Sequence, residues 1–340
     1  MFGLKEKKTT SMIFFITFLR ALAACVITNS HYTGIYPTDL IANGGLIGDV
    51  LFFSVSGYCL YNVKNKLSPL GFASWYGKRL WRVFPPVLVI TAVYMIAGAY
   101  SLEEHNFFWW YFFPTSYHFV ASIIILYVPF FFVMKIGALK NHLIWIMAGV
   151  GVAYMAVYVF FYDKSTYHID KVREPMIWFL FFESMLFGAL FRQRDSDWRN
   201  KFNPIWPIAA FVSFCVYFAS KTLFSKKTAL APFQILNQVA ILVLLYFLFR
   251  TFCSIDGKLE KMPTWLKNVV SFISSMTLEI YVVQSVLIGQ IRGLKLVFPL
   301  NWLAVTAAII AAASLLHLVC ELLYKGVDKL FSKFSKKVKK

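Results

Sequence analysis

Two side chains in the first apolar stretch have both the types and the spacing for chemistry. Arg20 stands near the middle of residues 12–30, where an ionisable group is costly and marks a functional candidate by default. His31 closes the stretch eleven residues later. Eleven residues turn an α-helix through about 1100°, roughly three full turns, so both side chains share one face about 16 Å apart in height. That face carries a buried cation and, above it, a residue that exchanges a proton near neutral pH. The plainer alternative is a packing ion pair with an interfacial histidine. Asp49, in the second stretch, comes near the height of His31 and can either pair with Arg20 or orient the histidine. Small residues around it (Gly45, Gly48, Ser56 and Gly57) let a neighbouring helix or a ligand approach the backbone. Glu279 and Glu183 are also mid-stretch. Glu279 is expected to meet a buried donor such as Arg20, and Glu183 to be structural. Lys78, Arg79 and Arg82 gather before the third stretch. Arg79 and Arg82 share a face if that turn is helical, and such forks hold phosphate well; a simple orientation anchor is the alternative.

These groups need elements to hold them, and the composition says of what kind. Of 340 residues, 59% are hydrophobic and 15% charged, against roughly 45–50% and about 25% in soluble proteins. Aromatic residues reach 19%. A soluble core of this length cannot hide so much apolar surface, which excludes a cytosolic enzyme, a disordered chain and a disulfide-stapled secreted domain. A bilayer span takes about 20 mostly apolar residues, and that rule predicts an all-α polytopic bundle with about ten transmembrane helices: 12–30, 44–62, 83–100, 116–135, 142–162, 176–192, 204–220, 231–250, 268–290 and 299–323. Of these, 176–192 and 204–220 are the weakest. The first imitates a signal peptide, but Arg20 and its length mark it as a retained helix.

The net charge of +18 resembles a nucleic-acid footprint until the charges are located. Twenty-five of the 34 Lys and Arg fall in alternate connecting segments, with eight in the others. This asymmetry predicts both termini in the cytoplasm and multi-pass residence in the cell membrane, with no nucleic-acid partner. Residues 1–340 read as one membrane-embedded domain, with 324–340 a basic cytoplasmic tail whose lysines (Lys333, Lys336, Lys337, Lys339 and Lys340) face anionic headgroups. Ser68–Arg82 reads as an amphipathic stretch on the inner interface before the third span. The five cysteines match no metal-site spacing and read as small buried hydrophobes, so no metal is expected. No internal repeat is visible, which disfavours common transporter architectures.

Several segments together resemble the acyltransferase-3 family of membrane O-acyltransferases. Arg20 and His31 match its Arg/Lys-x10-His motif. Gly48-Asp49-Val50-Leu51-Phe52-Phe53-Ser54-Val55-Ser56-Gly57-Tyr58 resembles its second helix, and Lys78-Arg79-Leu80-Trp81-Arg82-Val83-Phe84-Pro85 its Arg-x-x-Arg-x-x-Pro junction. Pro114–Val120, with Leu126-Tyr127 and Pro129, is similar to a segment of its polysaccharide-modifying members. Leu278-Glu279-Ile280-Tyr281-Val282-Val283-Gln284 resembles its late motif, with Gln284 where histidine is common.

The resemblance implies O-acyl transfer, most simply acetyl transfer, from cytoplasmic acetyl-CoA or another acyl-CoA to a hydroxyl of an extracytoplasmic polysaccharide or lipid-linked glycan. Acyl-CoA is then a co-substrate, and no cofactor is permanently bound. His31 and Arg20 become the catalytic pair, His31 as general base and Arg20 steadying the thioester or its polar arm. Lys78, Arg79 and Arg82 become the acyl-CoA site; Asp49, Ser56, His118 and Glu279 become supporting or acceptor-side residues. His118 sits near the outer face, where Trp109, Trp110 and Tyr111 form an aromatic belt that can also stack on sugars. From another class, a proton-coupled transporter or flippase of glycan intermediates would use Arg20, Asp49, His31 and Glu279 as its pathway.

Overall fold

The computed structural model describes residues 13–112, 117–171 and 175–337, with side chains to residue 327. Among them every regular element is a helix. The chain runs through α1 (Phe14–Ser30), α2 (Gly45–Leu60), α3 (Pro69–Ile96), the short α4 (Phe107–Tyr111), α5 (His118–Lys135), α6 (Gly137–Asn141) and α7 (Leu143–Phe161). It continues through α8 (Ile177–Gln193), α9 (Asp195–Trp198), α10 (Ile205–Lys226), a 3-10 turn (Thr228–Phe233), α11 (Ile235–Ser254), α12 (Asp256–Leu259), α13 (Thr264–Ser275), α14 (Thr277–Gly293) and α15 (Leu300–Lys337).

A helix occupies each of the ten apolar stretches, but they are not equivalent. Six are long and apolar enough to cross a bilayer, or seven if α13 and α14, bent by 71° at their junction, count as one broken span. The protein is thus a multi-pass membrane helix bundle, while α1 and α2 are shorter apolar helices of 17 and 16 residues. The expected interfacial stretch Ser68–Arg82 is not separate from the third span: it forms the first half of the single helix α3. Ser68 caps that helix, its hydroxyl accepting from the Gly71 N–H at 3.1 Å, and Pro69 fills the first turn, where a missing N–H costs nothing. The expected basic tail is helical to Lys337, while its lysine side chains lie outside the described residues, as do Lys5, Lys7 and Lys8.

The centre of the bundle is the α2–α8 crossing. A Cβ on Gly57 would overlap the Met185 carbonyl oxygen, and one on Gly188 would overlap that of Ser54. Only glycine lets these backbones meet, which is the close approach expected of small residues in membrane helices. On the other flank of α2, Gly48 rests against Ala23 and Ile27 of α1. Phe53 and Phe181 stack across the crossing with ring centres 4.2 Å apart, both fully buried. The weakly predicted 176–192 therefore forms one half of the central crossing, with most of its residues buried. By contrast α7 and α10 turn most of their apolar residues outward, toward lipid.

One contact ties the start of α1 to the far end of the chain. Asp256, buried on α12, accepts from the Phe15 N–H at 2.7 Å and so caps α1 from outside. Its other oxygen lies 3.5 Å from Arg199, which also pairs with Asp195.

Candidate active site

Helix α1 holds the two residues that its spacing singled out, and the helix is unbroken between them. Arg20 is half-buried, and its Nη2 donates to Cys59 Sγ at 3.6 Å, near the end of antiparallel α2. The guanidinium therefore leans toward the end of the bundle predicted to face the cytoplasm, as helical side chains point toward their own N-terminus. It makes no ion pair with Asp49 or Glu279. Cys59 is exposed, as are Cys25 and Cys215; only Cys253 and Cys320 fit the expectation of buried thiols.

Arg20 is not alone there. Tyr127, on α5, lies within electrostatic reach of Arg20, Arg79, Arg82 and Cys59. Arg79 and Arg82, one turn apart on α3, also feel each other. Arg79 is half-buried, with its guanidinium carbon 5.7 Å from the Trp75 ring centre and its Nε buried without a hydrogen-bond partner. Arg82 and Lys78 are exposed. Among the described residues none of the three arginines forms an ion pair. Three like charges around one tyrosine, none of them in an ion pair among the described residues, with Glu279 reaching only the Arg82 side through Tyr324, favour an anion brought from outside. Pro85 and Pro86 add to the polarity, because they leave the carbonyls of Trp81 and Arg82 without their helical donors.

At the other end of α1, His31 takes the C-cap position with its ring exposed. Protein nevertheless surrounds it closely enough that burial pushes its imidazole below the ordinary histidine value. The neutral ring is the form that can accept a proton. Between Arg20 and His31 a small apolar recess opens on the same face, at Ala24 and Thr28. Phe52 of α2, Phe119 of α5 and Thr277 and Tyr281 of α14 complete its wall. The Thr28 hydroxyl is buried there without a partner.

The remaining predicted residues fall in separate places. Asp49 is buried and lies within electrostatic reach of Tyr217 and Tyr281, the latter on the recess wall, so it borders the recess through that tyrosine. Ser56 is half-buried in α2, one turn before Cys59. His118, half-buried at the start of α5, has Trp109 as ring neighbour at 6.4 Å, and Trp109 is also 5.0 Å from His105. Residues 113–116, part of the motif around His118, lie outside the described residues. Glu183 is buried on α8 with one oxygen unpartnered.

Glu279 does meet a donor, but the donor is not Arg20. Glu279 meets His317 of α15, Oε1 to Nδ1, at 2.8 Å, and His317 extends toward Glu321 at 3.8 Å. His317 is an ionisable residue within an apolar stretch, so the rule that found Arg20 would also have found it. Tyr127 and Cys59 carried no such signal, since an isolated tyrosine or cysteine in an apolar helix is ordinary. Among the described residues no cluster of side chains has the makings of a metal site. A family model for an acyltransferase domain, that of acyltransferase-3, matches residues 13–318. No curated protein and no solved structure matches the chain.

Proposed function

Since the chain belongs to the acyltransferase-3 family and is thereby a membrane acyltransferase, we propose that it moves an acyl group, most simply acetyl, from cytoplasmic acyl-CoA to a hydroxyl of an extracytoplasmic or lipid-linked glycan. The observation that carries the donor assignment is the arginine group: Arg20, Arg79 and Arg82 around Tyr127, with no ion pair to a carboxylate among the described residues. A nucleotide rich in phosphate would supply the missing charge, and the charge asymmetry of the connecting segments supports a cytoplasmic position for this end. Lys78, exposed beside Arg79, adds to the field.

The pantetheine arm then rises along the face of α1 past Ala24 and Thr28. The recess is small, so the α5 and α14 walls must part to admit it. Arg20 holds the polar amides or the thioester carbonyl on the way. At the far end neutral His31 takes the proton of the acceptor hydroxyl as its oxygen attacks the thioester carbon. The carbon–sulfur bond breaks, the ester forms, and the CoA sulfur leaves with a proton returned through His31. Asp49 and Ser56 support the path, and His118 beside Trp109 stands on the acceptor side. Glu279 acts from a distance, through His317. Incubation of the purified protein with radiolabelled acetyl-CoA and surface polysaccharide tests the reading: label should pass to glycan hydroxyls as an alkali-labile ester. Absence of such transfer from any acyl-CoA to any glycan would sink it.

A further inference from the structure

His31 is the first residue of a loop that is held from one side by a single hairpin. Three contacts do this. Arg292, in the last turn of α14, donates from Nη2 to the Thr33 carbonyl. Asn301, at the start of α15, donates from Nδ2 to the Ile35 carbonyl at 2.6 Å. The Tyr32 hydroxyl shares a hydrogen bond with Thr306 of α15 at 3.0 Å. Tyr32 and Ile35 are buried, whereas His31, Thr33 and Gly34 face out.

The two buried anchors leave one weak place between them. Gly34 adopts φ +74°, a left-handed conformation, and glycine's backbone moves more freely than any other. The Thr33 carbonyl and the Gly34 N–H belong to one peptide plane, so the Arg292 bond from the α14 side and the Asp39 bond from within the loop together arrest the rotation that Tyr32 and Ile35 leave open, and Arg292 is the one of the two that ties the plane to the bundle. Arg292 also packs closely over the bare glycine: a Cβ at Gly34 would stand 3.1 Å from its Nε, so the guanidinium would have to shift by a few tenths of an ångström. The Gly34 N–H is taken in turn by Asp39 at 2.8 Å. Among the described residues Arg292 forms no ion pair. An exposed arginine with no carboxylate, closed onto a backbone carbonyl two residues past His31, does more than stay soluble.

We infer that Arg292 is a positioning residue for acyl transfer: by holding the Thr33 carbonyl it locks the loop that aims the His31 imidazole over the recess. This rests on the reading of His31 as the base. Base catalysis needs the ring nitrogen within hydrogen-bond reach of the acceptor hydroxyl, and a small misplacement costs heavily.

The test uses the full-length protein in nanodiscs with acetyl-CoA and an accepted glycan. Arg292→Ala should lower kcat by about a hundredfold while leaving KM for acetyl-CoA unchanged, the loss expected of a base displaced by about 1 Å. Arg292→Lys, which keeps a donor without the fork, should recover part of the loss. Gly34→Ala, which strains the left-handed backbone at φ +74° and crowds the Arg292 guanidinium at once, should also lower kcat. Hydrogen–deuterium exchange at residues 33–35 should quicken in Arg292→Ala and in Gly34→Ala, a readout independent of turnover. Wild-type kcat in Arg292→Ala, in a protein whose His31→Ala form is inactive, overturns the positioning role and leaves the base standing. Activity surviving in His31→Ala removes the base reading itself, whatever Arg292 does.

Discussion

Removing Arg79 and Arg82 one at a time separates donor binding from chemistry, and the structure assigns them different weights. Arg79 is half-buried with one N–H already desolvated and unpartnered. A charge-assisted hydrogen bond made there contributes about 1.5–3 kcal/mol, which is about a 10- to 200-fold loss of affinity for Arg79→Ala. Arg82 is exposed, so water and salt screen it, and Arg82→Ala should cost about 0.5–1 kcal/mol, or about 2- to 5-fold. Arg79→Lys should fall between, since it restores charge without the fork. The assay is calorimetric titration of a non-transferable acyl-CoA thioether in detergent, repeated at rising salt, where affinity should fall. Cys59 offers a second readout, because Arg20 holds its thiol at the centre of the same group. In a Cys25→Ser, Cys215→Ser background, saturating thioether should protect Cys59 from alkylation. Unchanged affinity in both folded variants, together with Cys59 alkylation indifferent to the thioether, would refute the donor site.

His31→Ala should abolish transfer yet bind acyl-CoA normally, as measured by the same titration. Burial pushes the His31 imidazole below its ordinary value of 6.5, so the wild-type rate should stay flat through neutral pH and fall only as acid protonates the ring, with a midpoint under that value. A rate that instead rises on acidification would contradict a neutral base. Asp256→Ala removes the outside cap of α1 and should destabilise by about 0.5–2 kcal/mol, read as an earlier unfolding midpoint in a denaturant titration. Burial raises the Asp256 carboxyl above its ordinary value, so the folded chain holds that proton to higher pH than the unfolded one. The stability this confers is present at low pH and lost as pH rises through the folded value. Asp256→Asn, which keeps an acceptor for Phe15 without the charge, should flatten that dependence. For orientation, cysteines placed at Pro37 and Asn106 should react with an impermeant thiol reagent added to intact cells, and those at Asn65 and Asn200 should not.

Much of this molecule is legible in the sequence because a bilayer leaves few options for the backbone. Apolar runs place a helix at each of ten positions, and the fixed 100° step of α1 puts Arg20 and His31 on one face without any knowledge of packing. Lengths were less legible. The run 83–100 hides a helix that starts at Pro69, because Arg79 and Arg82 interrupt the hydropathy but not the helix. Partners were least legible. Arg20 near Cys59 and Tyr127, and Glu279 with His317, join residues that are 38 or more positions apart. Such pairings depend on which helices adjoin and how they are rotated, and a single sequence carries no signal for either.

The lengths of the central helices bear on how the bilayer is crossed at all. At about 1.5 Å per residue, the 17 residues of α1, the 16 of α2 and the 17 of α8 rise about 24–26 Å, short of the hydrocarbon thickness of about 30 Å. The peripheral α3 and α15 have 28 and 38 residues and easily exceed it. Beside the α2–α8 crossing the bilayer has to thin, or the residues flanking these helices have to reach the headgroups. On the proposed acyl transfer, that local thinning would shorten the path that a hydrophilic donor and a hydrophilic acceptor have to share. The mismatch costs only fractions of a kcal/mol per ångström, a small term beside desolvating a nucleotide or a sugar.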